Sequence, residues 1–200
     1  MDKKKIFCMC LHEGHLQNLK KLNYVPVGLG KNNFSEEWLK DNTGENISHK
    51  NLNYGEYTFY YWFWNNMLSK ISDGTWVGFA GYRYHWSQHN EVKSDDLNKI
   101  INRDNYKDHV LKRIPEEWKN HDVILGDEIF IDEFKFSKII KHAKKKFFLN
   151  PRFFIKSNRN IKLHFDIFHG DGNIDKAINL LEDNERDDFR KFVTYNRSFN

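Results

Sequence analysis

The sequence predicts an α/β fold: a mainly parallel central sheet flanked by helices. Short apolar runs recur at Ile6–Leu11, Tyr24–Gly30 and Trp76–Gly81, each too brief for a helix and each ending in polar or glycine-rich sequence. Stretches with helical spacing lie between and after them, which is how parallel strands are joined. The first run, IFCMCL, is apolar throughout, which places it centrally in the sheet.

The 200 residues suit one domain with a sizeable core, taken as 1–200. Hydrophobic residues are only 39%, but aromatics reach 16%, so Phe, Tyr and Trp supply most of that core. The net charge of +4 is spread over mixed signs, which does not call for nucleic acid; it is compatible with an anionic substrate or an anionic membrane face. Cys8 and Cys10 are the only cysteines. At i and i+2 on a strand they close too short a loop for a good disulfide, as in a reducing cytoplasm. No apolar run is long enough to span a bilayer, and no adequate secretory segment follows Lys3-Lys4-Lys5.

Taken in order, Ile6–Leu11 delivers His12-Glu13-Gly14-His15 to a strand's carboxyl end, where open α/β sheets bind ligands. That position makes His12 a candidate; the alternative is a plain turn. The His12–His15 spacing fits no common zinc pattern. Tyr24–Gly30 is a second strand, and Ser35–Lys40 reads as a short helix with Ser35 as N-cap. Asp41–Asn51 is a loop of amides and hydroxyls, suited to a sugar or ribose but equally to an ordinary connection with Asx turns. Tyr54–Leu68 reads as one buried aromatic helix whose rings are core; Glu56 at its start either complements the helix dipole or faces a site. In Trp76–Gly81, Gly78 and Gly81 mark close approach by backbone or ligand, and Arg83 just beyond suits a diphosphate or a structural ion pair.

Ser94–Ile114 has the spacing of one or two surface helices ending before Pro115. Asp122–Ile131 reads as a strand interrupted at Gly126. No strict Asp-x-Asp, the usual chelating pair of nucleotide-sugar transferases, occurs in the chain. Asp127-Glu128 is the nearest substitute, able to hold Mg2+ or Mn2+ or to form a solvated turn. Phe134–Phe148 is a basic amphipathic helix, continued by Arg152 and Lys156; residues 135–156 suit an anionic bilayer or a solvated basic face. Ile161–His169, a helix over Ile174–Leu181 and a last helix from Asp187 complete the chain.

One ordered set of residues is more specific than any of these elements. DNTGENIS at Asp41–Ser48 is followed by Lys50-Asn51, by Glu56, by Tyr61-Trp62-Phe63-Trp64-Asn65, and then by Gly78 and Tyr82-Arg83. The set resembles a bacterial glycosyltransferase family catalogued as domain of unknown function 4422, whose members occur in capsule and O-antigen gene sets. Gly81 and Tyr84 depart from its pattern, which has His and a second Arg there.

The resemblance implies a Rossmann-like, GT-A-like fold. The implied activity is transfer of a hexose, galactofuranose in some members, from a nucleotide-diphosphate sugar to a polysaccharide or lipid-linked glycan. It implies donor binding by Asn46, Ser48, Lys50, Asn51, Tyr82 and Arg83, with Lys50 the diphosphate contact; His12 joins this set by its position after the first strand. His169, Asp171 and Asp127 become the catalytic candidates, and Asp127 with Glu128 the metal ligands for Mg2+ or Mn2+. A cytoplasmic enzyme held peripherally on the inner membrane face would follow. The family pattern continues beyond Asn200, which implies a domain truncated at its C-terminus. The rival class is a non-catalytic carbohydrate or nucleotide-sugar binding module, favoured by the missing Asp-x-Asp and the early stop.

Overall fold

The structure is a computed structural model that describes residues 3–87, 105–131 and 136–199. These form two compact units, residues 1–124 and 125–200, taken separately here.

The first unit is built on four parallel strands: β1 (Lys4–Cys10), β2 (Val25–Gly28), β3 (Leu39–Lys40) and β4 (Trp76–Gly81), in the order β3-β2-β1-β4. β1 is central, paired from Phe7↔Val25 to Cys10↔Gly28 on one side and from Lys4↔Trp76 to Met9↔Gly81 on the other. The expected α/β architecture with a parallel sheet is what the chain adopts.

Strand alternation sends β1 side chains to two different cores. Ile6, Cys8 and Cys10 pack with Leu16 and Leu19 of α1 (Leu16–Lys21) and with Tyr24, Phe34, Trp38, Ala80 and Val110. Phe7 and Met9 point the other way, onto Val27, Leu29 and the Phe59, Trp62 and Phe63 rings of a helix described below. Both cysteines are buried free thiols. Three aromatic rings gather on Phe7, with centroids 5.8 Å away for Phe59, 5.2 Å for Phe63 and 6.2 Å for Phe79.

Several expected elements differ. Ser35–Lys40 is a turn, closed by the Trp38 N–H on the Ser35 carbonyl, that runs straight into β3; Phe34 and Trp38 are buried side by side and their packing overrides the capping signal. Tyr54–Leu68 is two helices, α2 (Asn51–Tyr54) and α3 (Tyr57–Asn66), parted by Gly55 at φ +53°, a conformation no helix contains. Nor is α3 buried all round. Thr58, Phe59, Trp62 and Phe63 face the sheet, whereas Tyr57 is 70% and Trp64 72% exposed. Counting Tyr and Trp as uniformly apolar hid a two-faced helix.

From the predicted Ser94–Ile114 helices, 94–104 lie outside the described residues; α4 (Tyr106–His109) is a single turn, and Val110, Leu111 and Ile114 are core. The Asp122–Ile131 strand is also shorter than expected. Residues 122–128 belong to no strand, with Val123 and Leu125 exposed, and β5 (Ile129–Phe130) is the part of this run that joins a ladder.

The second unit is mainly helical: α5 (Phe136–Leu149), kinked at Ala143, then α6 (Ile161–His169), α7 (Asn173–Ile178) and α8 (Asp183–Tyr195). The last helix starts ahead of the expected Asp187, using Asp183 and Glu185 in its first turn. β6 (Ser198–Phe199) returns antiparallel to β5. Asn160 caps α6 by accepting from the Leu163 N–H at 2.8 Å, and its amide donates to the Thr194 carbonyl at 2.8 Å, binding α6 to α8. Ile174, Ile178 and Val193 form the core beneath. Among the described residues no helix is long and apolar enough to cross a membrane.

Because Phe7 joins the sheet to α3 through four rings, Phe7→Ala is expected to cost about 3–5 kcal/mol, read as a lowered urea midpoint at unchanged slope. A cost below 1 kcal/mol would mean that this face of β1 is not a closed core.

Candidate functional site

The chain steps outward from β1 through β2 to β3 and then crosses back to β4 on the far side of β1, so the winding direction reverses between β1 and β4. The carboxyl ends of β1 and β4 therefore form the crevice where open parallel sheets bind ligands.

The rim is built on Asp41, the first residue after β3. Its carboxylate is fully buried. Oδ1 accepts the Gly30 N–H at 2.8 Å and Oδ2 accepts the Thr58 hydroxyl at 2.6 Å, joining the end of β2 to the first turn of α3. Thr58 Oγ1 in turn accepts from Asn51 Nδ2 at 3.0 Å, and the same amide donates to the Gly55 carbonyl at 2.8 Å. Gly30 has φ +68°, and a Cβ there would lie 3.0 Å from Asn51 Oδ1. Only glycine meets both demands.

Next to Gly55, Glu56 accepts the Tyr84 hydroxyl at 2.5 Å. Burial first, and Glu56 second, push the Tyr84 phenol well up, so Tyr84 stays the donor. Tyr84 folds back over the end of β4, where a Cβ on Gly81 would meet its ring at 2.5 Å. Side chains, not backbone or ligand, make the close approaches: Tyr84 at Gly81, and at Gly78 Ile6 at 3.3 Å and then Trp86 at 3.5 Å, whose indole donates to the Phe79 carbonyl at 2.9 Å. Gly81 and Tyr84 also bond each other through their backbones, N–H to carbonyl at 3.2 Å in both directions. The rim has two bonded parts, Gly30–Asp41–Thr58 and Glu56–Tyr84–Gly81, joined through the first turn of α3.

The expected donor residues fall into distinct settings. His12 is exposed directly after β1. Tyr82 is half-buried, its ring 5.1 Å from that of His15 and 5.0 Å from the Arg83 guanidinium. Arg83 and Lys50 are exposed, and among the described residues neither has a carboxylate partner; the Lys50 ammonium lies 5.7 Å from the Tyr54 ring. Asn51 is a structural pillar of the rim, as above. Asn46 and Ser48 serve the loop itself: Asn46 Oδ1 accepts from the Ser48 N–H at 3.2 Å and from its hydroxyl at 2.8 Å, while Nδ2 donates to the Gly44 carbonyl. The loop is then pinned along α3 by Trp62 Nε1 on the Thr43 carbonyl, Tyr61 on Glu45 and Asn66 on the Glu45 carbonyl.

Four candidates lie in the second unit. Asp127 and Glu128 are exposed on the irregular segment before β5. His169 is exposed at the end of α6, its ring 4.5 Å from Phe165 and its carbonyl capped by Asn173. Asp171 is exposed in the following turn. Among the described residues no three His, Cys, Asp or Glu side chains gather as a metal cage. Two carboxylates still fit Mg2+ or Mn2+ whose other ligands come from phosphate and water.

Sequence reasoning missed Asp41, Thr58 and Tyr84. The available signal for Asp41 was a carboxylate placed immediately after a strand.

Burial raises the Asp41 carboxyl above its ordinary value of 3.8, against the opposing bonds from Thr58, Gly30 and its own N–H. The native state then holds the proton more tightly than the unfolded chain. Its contribution to stability is fully present below pH 3.8 and lost as pH rises through the folded value. Asp41→Asn keeps an acceptor for Gly30, and is expected to flatten the pH dependence of unfolding just above pH 3.8. Asp41→Ala orphans the buried Gly30 N–H, leaves the Thr58 hydroxyl only the Gly55 carbonyl at 3.0 Å, and is expected to cost about 1–3 kcal/mol. Chemical denaturation across pH reads both, and an alanine variant as stable as the parent would contradict the anchoring role. For the other end of the rim, Tyr84→Phe should leave the fold intact and free the Glu56 carboxylate, seen as a changed Glu56 side-chain carboxyl 13C shift at neutral pH; an unmoved resonance would exclude the bond.

No curated protein and no solved structure matches the chain. A family model described as domain of unknown function DUF4422 matches residues 5–198. That match takes in both units and every element of the rim, and the chain belongs to this family.

Proposed function

We propose that the chain is a glycosyltransferase that takes a hexose from a nucleotide-diphosphate sugar to a glycan or lipid-linked acceptor. The observation that supports this best is the placement of Arg83. A guanidinium without a carboxylate partner among the described residues stands at the carboxyl end of β4, beside the crevice where such sheets take phosphorylated ligands. Its contact with Tyr82 leaves the planar donor fork available for two diphosphate oxygens. Lys50 is a second exposed cation on the segment after β3.

In this reading the donor diphosphate lies along the rim, with Arg83 and Lys50 opposing the charge that grows on the leaving group. His12, exposed after β1, and Tyr82 border the same crevice. Transfer also requires a base to take the acceptor hydroxyl's proton. Glu56 offers a half-buried carboxylate held by Tyr84 in the first unit; His169, Asp171 and Asp127 are the proposals in the second. Within the second unit, Asp127 and Glu128 are the carboxylates that would hold a divalent cation, and such a cation supplies positive charge to a phosphorylated ligand. Peripheral attachment through 135–156, on a cytoplasmic membrane face, belongs to the same proposal. Lys144, Lys145, Phe148, Arg152 and Lys156 are all exposed there.

The test is a nucleotide-release assay over a panel of nucleotide hexoses, galactofuranose donors included, with Mg2+ or Mn2+. Release from at least one donor is expected, falling at least tenfold in Arg83→Ala and less in Arg83→Lys. Saturable donor binding without release would favour the binding module, and neither binding nor release would end the proposal.

A further inference from the structure

Beside the rim runs an open groove of about 580 Å³, lined by Ile47, Asn53, Tyr54, Tyr57, Tyr60 and Tyr61. Its size falls within the range of small-ligand sites. We propose that this groove is a saccharide subsite that takes a hexopyranose ring of the acceptor glycan against its tyrosine faces; the acceptor role rests on the transferase reading above.

The lining is the first argument. Four of six residues are phenols, one is an amide and one is aliphatic, and none is charged. A tyrosine offers an electron-rich face and a hydrogen-bonding tip. A hexose has the matching halves, a face of polarised C–H groups and an edge of hydroxyls. A lipid surface would call for basic residues around alkyl or indole groups, and an interface between copies would call for a more apolar patch.

The second argument is that the rings are held. Tyr60 packs edge-on to Phe79 at 4.9 Å, Tyr61 donates to Glu45 Oε1 at 2.7 Å, and Tyr54 has the Lys50 ammonium 5.7 Å from its centroid. Yet Tyr57 remains 70% exposed and Tyr54 49%. Rings fixed before binding cost little order on binding. Tyr57 and Tyr60 stand at 88° to one another, 5.7 Å apart. Two perpendicular rings cannot sandwich a flat nucleobase, but they can meet two sides of a puckered sugar.

The third argument is position. Glu56 is the N-cap residue of α3, directly before Tyr57 of the groove wall, and it also accepts the Tyr84 hydroxyl of the rim. The groove wall thus starts one residue from the carboxylate that the transferase reading offers as a base.

Saturation-transfer NMR on the full chain with methyl glucoside, galactoside and mannoside tests this. Transfer to ring C–H protons of at least one hexoside is expected, reduced at least fivefold in Tyr57→Ala and in Tyr61→Ala and retained in Trp64→Ala, an exposed ring on α3 outside the lining. Circular dichroism checks that each variant folds. No transfer with any hexoside, or equal transfer in both tyrosine variants, overturns the proposal. So does a result in which the tyrosines govern something else: uridine monophosphate binding, vesicle association or dimerisation lost in Tyr57→Ala while the hexoside signal persists. Donor binding without hexoside binding sinks the groove alone. Hexoside binding without donor binding keeps the groove and sinks the transfer reading.

Discussion

The arrangement of the first unit depends on one buried carboxylate. Asp41 ends the short strand β3, and its two oxygens are taken by the Gly30 N–H and the Thr58 hydroxyl. A charge removed from water must have its lone pairs satisfied, and this requirement fixes three separate pieces of chain at once. Gly30 must turn with positive φ to present its N–H, Thr58 must open a helix, and Asn51 must reach beneath both. α3 is therefore set against the sheet at a defined height. Its buried rings close on Phe7, Met9 and Phe79, while its N-terminal end brings Glu56 to Tyr84.

The legible part of the fold was the part governed by hydrophobic pattern. IFCMCL could only be a strand covered on both sides, and WVGFAG its neighbour; β1 and β4 lie where those runs predict, with β2 between Tyr24 and Gly30. The errors came where packing or a single glycine overrode local preference. Ser35-Glu36-Glu37 has a helix-start signal, but Phe34 and Trp38 are drawn into the core and the backbone turns instead. Gly55 splits an otherwise continuous aromatic helix because a positive φ ends the helical ladder. Val123 and Leu125 look like a strand but find no partner among the described residues.

The candidate site was legible by segment more than by residue. Its location at strand carboxyl ends follows from the fold class, so His12 and Arg83 could be placed from the sequence. The roles of amides in the 41–51 loop could not, because they depend on which backbone groups the folded loop leaves unpaired. Asn46 and Ser48 bond each other, and Asn51 supports the rim. Glu56 was ambiguous for the same reason: its partner, Tyr84, is distant in sequence and is delivered by the turn after β4. The exposed tyrosines of α3 were hidden by their own hydrophobicity. Only the packed structure separates the rings that face Phe7 from the rings that face solvent.

The central claim is that the carboxyl rim between β1 and β4 is where the activated sugar binds. Mapping backbone amide shifts during titration with a nucleotide hexose measures this most directly. The account predicts that the largest shifts fall on Gly30, Asn51, Arg83 and Tyr84, with smaller ones around His12. Saturable shifts confined to other segments, with these amides unmoved, would contradict it.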